Sequence, residues 1–186
     1  MLLDEKRTKR TVQVVAVLTS IAFAGVIFVV LGLILFGGGG ETLADQQLAD
    51  ARERIEQNPN DPDAWEALAS AQATMEDFDD AIVSAEKAVE LAPRDYRRLQ
   101  TLVALQIRQG QTEQAITALQ AYTARVPDNP DAFVQLGQLA EQAGRTPLAR
   151  LSYQTFLRLA PDDSTAEEVR ERLDALESGG TPTTAG

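Results

Sequence analysis

The sequence contains neither histidine nor cysteine. Their absence removes the usual ligands of zinc, copper, haem iron and iron–sulfur clusters, together with the commonest general base and the thiol nucleophile. No disulfide can form, so cysteine usage says nothing about redox compartment. Aromatic residues are scarce at 5%. The β-branched residues gather in one N-terminal run instead of alternating along the chain, which argues for helices over sheets. Positive charge is in short supply as well, with 17 Lys and Arg against 28 Asp and Glu and a net charge of −11. Phosphate contacts need clustered Lys and Arg, so nucleic acid is not an expected partner.

What is present divides into two unlike parts. From Thr11 to Gly40 no residue is charged, and Val12 to Phe36 is a predominantly apolar run of 25 residues. As a helix this run spans roughly 37 Å, enough to cross a hydrocarbon core of about 30 Å with some tilt. Ala22-Phe23-Ala24 fits the small-x-small pattern of a signal-peptide cleavage site. Cleavage there would leave the apolar stretch from Val26 to Phe36 on the mature chain, which favours an uncleaved anchor. Lys6, Arg7, Lys9 and Arg10 precede the run, and no positive charge follows it until Arg52. The positive-inside rule then expects a single-pass protein of the plasma membrane, N-terminus cytoplasmic and the remainder extracytoplasmic, with the lipid bilayer as one partner. Gly37 to Gly40 reads as a flexible leash.

The second part is periodic. Pro59, Pro93, Pro127 and Pro161 are each separated by 34 residues, the length of a helix–turn–helix unit. In phase with them stand Trp65, Leu68 and Ala69; Leu99 and Leu102; and Phe133, Leu136 and Gly137. Downstream in each unit come Ala81 and Ala88; Gly110, Ala115 and Tyr122; and Gly144, Ala149, Tyr153 and Phe156. Small residues let two helices approach and aromatic residues fill the space between them. Asp61, Asn129 and Thr146, each before a proline, read as N-caps. Ser164 to Glu167 has capping-box spacing and opens an amphipathic stretch with Val169, Leu173 and Leu176 on one face. Leu48, Ala51 and Ile55 mark a further helix upstream.

On these residues the chain resembles the tetratricopeptide-repeat (TPR) family over about a hundred positions. The expected fold is all-α: an N-terminal transmembrane helix, then a TPR α-solenoid of three full repeats with a preceding half repeat and a C-terminal capping helix. The boundaries read as a basic N-terminus over 1–10, membrane helix 11–36, linker 37–41, half repeat 42–60, repeats over 61–95, 96–129 and 130–163, capping helix 164–178, and a disordered tail over 179–186. Departures from the family pattern are Gln72, Gln106 and Ala140 where an aromatic is usual, and Glu76 where the turn residue is usually glycine.

The resemblance implies a groove on the first helix of each repeat. By matching positions it would be lined by Asp63, Glu66, Ser70 and Thr74, then Arg97, Gln100, Ala104, Ile107 and Arg108, then Asp131, Val134, Gln138 and Glu141. The Lys and Asn residues with which some members clamp a C-terminal carboxylate are not at these positions. Arg94, Arg97, Arg98, Arg108 and Arg125 make the chain around repeat two locally basic, so a partner segment carrying an acidic group is one expectation; pairing with acidic neighbours such as Glu66 or Glu141 is the other. Asp79-Asp80, Asp162-Asp163 and Glu167-Glu168 sit where helices start or in loops, as solvated charge does. No catalytic residue, metal site or cofactor is expected.

The functional expectation is a membrane-anchored scaffold or assembly factor for a protein or extended peptide. The arrangement is similar to the anchored repeat domains of bacterial c-type cytochrome maturation factors, which hold unfolded apocytochrome; Arg54 to Pro93 carries that similarity. A permanent structural subunit of a membrane complex is the alternative.

Overall fold

A computed structural model describes residues 42–178. The apolar run from Val12 to Phe36, the glycine leash and the C-terminal tail lie outside the described residues. Among the described residues no helix is long and apolar enough to cross a membrane, and no strand occurs. Within the described residues eight helices follow one another: α1 (Leu43–Gln57), α2 (Pro62–Thr74), α3 (Phe78–Leu91), α4 (Tyr96–Arg108), α5 (Thr112–Arg125), α6 (Pro130–Gln142), α7 (Thr146–Leu159) and α8 (Ala166–Ser178). Each packs against the next. This is a TPR solenoid, in which α2/α3, α4/α5 and α6/α7 are the three repeats.

The start of each first helix follows from its cap. Asp61 accepts from the Asp63 N–H at 2.9 Å and Asn129 from the Ala132 N–H at 3.3 Å, each with a proline in the first turn. Asp95 does the same for α4, accepting from the Arg97 N–H at 3.0 Å. Thr146, expected as a cap, is instead the first helical residue of α7, behind Arg145. The reason is the turn before it: the Arg145 N–H reaches back to the Ala140 carbonyl at 2.7 Å, so the chain is already aligned for helix one residue early. The capping box at Ser164 is likewise replaced. Asp163 holds the turn, its carboxylate accepting from both the N–H and the hydroxyl of Thr165 at 2.8 Å, while Glu167 pairs with Arg170 at 3.0 Å.

The turn inside every repeat has one form. Residues 76, 110 and 144 have φ of 63°, 71° and 70°. The residue after each bonds back to the carbonyl five positions earlier: Asp77 to Gln72, Gln111 to Gln106, and Arg145 to Ala140. These are Schellman closures, which need a left-handed residue at their apex. Gly110 and Gly144 adopt it freely, whereas Glu76 adopts it at a cost.

The core runs as three linked clusters. Ala69, Ala81, Ile82 and Ala85 meet Leu102 and Leu105 between repeats one and two. Leu99, Val103, Ile116, Leu119 and Tyr122 meet Leu136 and Leu139 between repeats two and three. Tyr153 and Phe156 meet Ala166 and Val169 of α8, with Leu173 and Leu176 against them, so α8 covers the apolar face that a fourth repeat would otherwise cover. At the other end Ala51 of α1 is buried and Leu48 and Ile55 are half-buried. Gly137 marks a close approach of α6 and α7: a Cβ there would stand 2.4 Å from the Tyr153 ring, which is itself buried.

Candidate interaction site

The side of α2, α4 and α6 turned away from the core forms one continuous surface, because neighbouring first helices are tied to each other directly. Between α4 and α6, the Tyr96 hydroxyl donates to Gln135 Oε1 at 3.0 Å. Between α2 and α4 the tie is ionic and centred on Arg98, whose side chain is only 7% exposed. Its guanidinium bonds to Glu66, to Asp63 at 2.6 Å and to the Pro62 carbonyl at 3.2 Å. Its Nε lies 3.2 Å from the Asp95 carboxylate, out of line for a hydrogen bond. Burial works against the cation, but the bond to Asp63 and the charges of Glu66, Asp63 and Asp95 outweigh it and hold the Arg98 pKa above its ordinary value.

This network settles most of the geometry of the arginine cluster in repeat two. Arg98 is a buried tie between repeats and does not face a partner. Arg108 lies over the Phe78 ring at 4.3 Å, turned toward α3. Arg94 donates to the Arg125 carbonyl at 3.4 Å, and Arg125 to the Ala121 carbonyl at 3.3 Å. Arg97 is different: its side chain is 69% exposed, and its nearest carboxylate is that of Glu66 at 3.6 Å, which Arg98 already engages.

Of the positions expected to line the groove, Asp63, Ser70, Thr74, Arg97, Gln100, Ala104, Ile107, Arg108 and Asp131 are exposed, while Glu66, Val134, Gln138 and Glu141 are half-buried. Asp63, Glu66 and Arg97 come together across the α2/α4 seam. The Thr74 hydroxyl turns back to the Ser70 carbonyl at 2.9 Å. Glu141 is directed elsewhere: it accepts from the Tyr153 hydroxyl at 2.6 Å and pairs with Arg172 of α8 at 3.4 Å. Asp131 stands close enough to Tyr96 for its charge to act there. Burial first, and Asp131 second, push the Tyr96 phenol up to about 12. Asp95, Tyr96 and Gln135 were not anticipated in this surface; an aspartate directly before a helix start was the available signal for the first.

A family model described as the cytochrome c-type biogenesis protein H TPR domain matches residues 36–167. The chain belongs to this family. No curated protein sequence matches it significantly. Among solved structures, this member of the cytochrome c-type biogenesis protein H TPR family is similar to MamA, residues 41 to the end, from Desulfovibrio magneticus RS-1. That likeness has a TM-score of 0.55 at 18% identity and covers 82% of this chain and 83% of MamA. It is similar too to a tetratricopeptide repeat protein from Parabacteroides merdae, at TM-score 0.60 and 16% identity, over 71% of this chain and 53% of that one. A third is YrrB, described as a TPR protein with an unusual peptide-binding site, at TM-score 0.56 and 15% identity, over 73% and 69% of the two chains. At these identities the likeness is one of fold.

Proposed function

We propose that the chain is a single-pass membrane protein that displays its TPR domain on the extracytoplasmic side and there holds an extended protein segment, as an apocytochrome-holding arm of c-type cytochrome maturation. The observation that carries this reading is the family match over residues 36–167, placed directly after the one apolar run of membrane-spanning length. The surface supports a transient partner over a permanent one. Its exposed positions are mostly polar, and among the described residues the large exposed apolar side chains, Leu43, Met75, Val83, Ile107 and Leu151, are spread over five different segments. Arg97 supplies a guanidinium for an acidic side chain of the partner. Holding a chain needs no acid–base or nucleophilic group, and the reading assigns none.

Binding of a fluorescent peptide bearing a C-x-x-C-H haem-attachment motif to the full chain in nanodiscs tests it. The peptide should bind more tightly than a scrambled version. Arg97→Glu should weaken binding about five- to tenfold, a loss of about 1–1.4 kcal/mol. Equal affinity for the scrambled peptide would overturn the reading.

A further inference from the structure

The 34-residue interval also aligns charge. Asp63, Arg97 and Asp131 are 34 residues apart, each at the second position of its first helix, α2, α4 and α6. Those helices are direct neighbours: Arg98 of α4 donates to the Pro62 carbonyl of α2 at 3.2 Å, and Tyr96 of α4 donates to Gln135 of α6 at 3.0 Å. Packed helices lie roughly 8–10 Å apart. The three charges therefore form one row across the helix starts, negative, positive, negative, with a step of that size.

Each member of the row is open to a partner. All three residues are exposed. The Asp63 side chain stays 65% exposed while its Oδ1 accepts from Arg98. Asp131 enters no ion pair among the described residues. Arg97 is the departure, because the first turn of a helix favours a carboxylate and disfavours a cation, and both flanking repeats have aspartate there. Its contact with Glu66, at 3.6 Å, is to a carboxylate that Arg98 already holds. Neither its own helix nor that shared contact accounts for an arginine at this position. Around the row four carboxylates, Asp63, Glu66, Asp95 and Asp131, stand with two guanidiniums, Arg97 and Arg98, so the edge of the surface is net negative.

We propose that this row reads the charge order of the segment held on the first-helix surface: an acidic side chain at Arg97, with basic side chains three residues to either side at Asp63 and Asp131, the backbone in the polyproline II conformation. This preference rests on the first-helix surface holding an extended segment, as proposed above, and adds which segment it favours. Polyproline II has three residues per turn and rises about 3.1 Å per residue, so every third side chain returns to the same side after about 9 Å, one step of the row. A β-strand does not serve, since residues three apart point to opposite faces. An α-helix needs about six or seven residues to cover the same distance. Two basic groups and one acidic group also carry the net positive charge that the net negative edge favours. Exposed ion pairs are individually weak, so the row sorts segments by modest factors.

The test is methyl NMR on the full chain in nanodiscs with ¹³C-valine labelling, at low ionic strength, titrated with acetyl-Lys-Pro-Pro-Glu-Pro-Pro-Lys amide. Val134, one turn on from Asp131, should shift while Val83 on α3 does not. The isomer Pro-Lys-Pro-Glu-Pro-Lys-Pro, with the same charges in the same order at every second residue, should bind at least about threefold more weakly. Arg97→Glu should lower the affinity ratio of the first peptide to its all-lysine counterpart by about fivefold or more. Asp131→Lys should raise the ratio of Lys-Pro-Pro-Glu-Pro-Pro-Glu to the first peptide by about threefold. Equal binding of the two isomers with Val134 shifting would overturn the charge-order proposal and leave the holding function standing. So would a ratio that Arg97→Glu does not move, or tighter binding of a helix-forming peptide with the same charges seven residues apart. No shift of Val134 at about 10 mM, with these peptides or with the C-x-x-C-H peptide, would overturn both.

Discussion

Arg98 illustrates how residue-level charge is used in this molecule. Three carboxylates, Asp63, Glu66 and Asp95, converge on one guanidinium that is almost wholly removed from water. Taking away the cation leaves those charges facing each other without it, and the partly exposed positions of Asp63 and Asp95 soften the penalty through solvent. Arg98→Met should therefore cost about 2–4 kcal/mol in thermal or urea unfolding, whereas Arg97→Met should change stability by less than about 0.5 kcal/mol. Equal effects at the two positions would show that the tie between repeats is not where the geometry puts it. Tyr96 makes a second residue-scale prediction. Its phenol is pushed up to about 12, first by burial and then by Asp131, so the folded state prefers the neutral form more strongly than the unfolded chain does. That preference contributes fully below pH of about 10, the ordinary tyrosine value, and is lost as pH rises toward 12. Urea midpoints should fall across that window, and Tyr96→Phe should fall less steeply than the wild type. Parallel declines would remove Tyr96 as a cause.

At the scale of elements, the within-repeat turns share one geometry built from unequal residues. Glu76 holds the left-handed conformation that Gly110 and Gly144 hold in the other repeats. Its side chain carries a steric penalty there that glycine does not, partly offset by the greater freedom of glycine in the unfolded chain. Glu76→Gly should stabilise the protein by about 0.5–1 kcal/mol, raising Tm by a few degrees; a lower Tm would contradict the turn assignment. Much of this level was legible in the sequence. Four prolines at a 34-residue interval and the small residues in phase with them bring the repeats into register, because helix–turn–helix length and close helix contact leave direct marks on residue type. Two helix starts, at Thr146 and Ser164, fall elsewhere than their residue types imply, since a preceding Schellman turn or an upstream aspartate can set the start before the expected cap does. Side-chain direction was less legible still. Arg98, Arg108 and Glu141 all fall at or beside groove positions by count, yet each is drawn off by a partner on another helix: Glu66, Phe78 and Arg172.

For the whole molecule, membership of the cytochrome c-type biogenesis protein H TPR family and the polar character of the first-helix surface bear on one question, whether this domain holds unfolded cytochrome polypeptide outside the cytoplasm. The repeats give it an extended surface on α2, α4 and α6, tied together by Arg98 and by the Tyr96–Gln135 bond, so that a partner segment can cross several helices without ordering them first. Site-specific photocrosslinking in native membranes addresses this directly, with a benzophenone residue replacing Gln100 on the first-helix surface or Val83 on α3. When haem attachment is blocked, the Gln100 position should crosslink to cytochrome polypeptide lacking haem, with the adduct recovered from the extracytoplasmic side, and the Val83 position should not. Adducts that contain no cytochrome polypeptide, or that form equally from Val83, would contradict the proposed function.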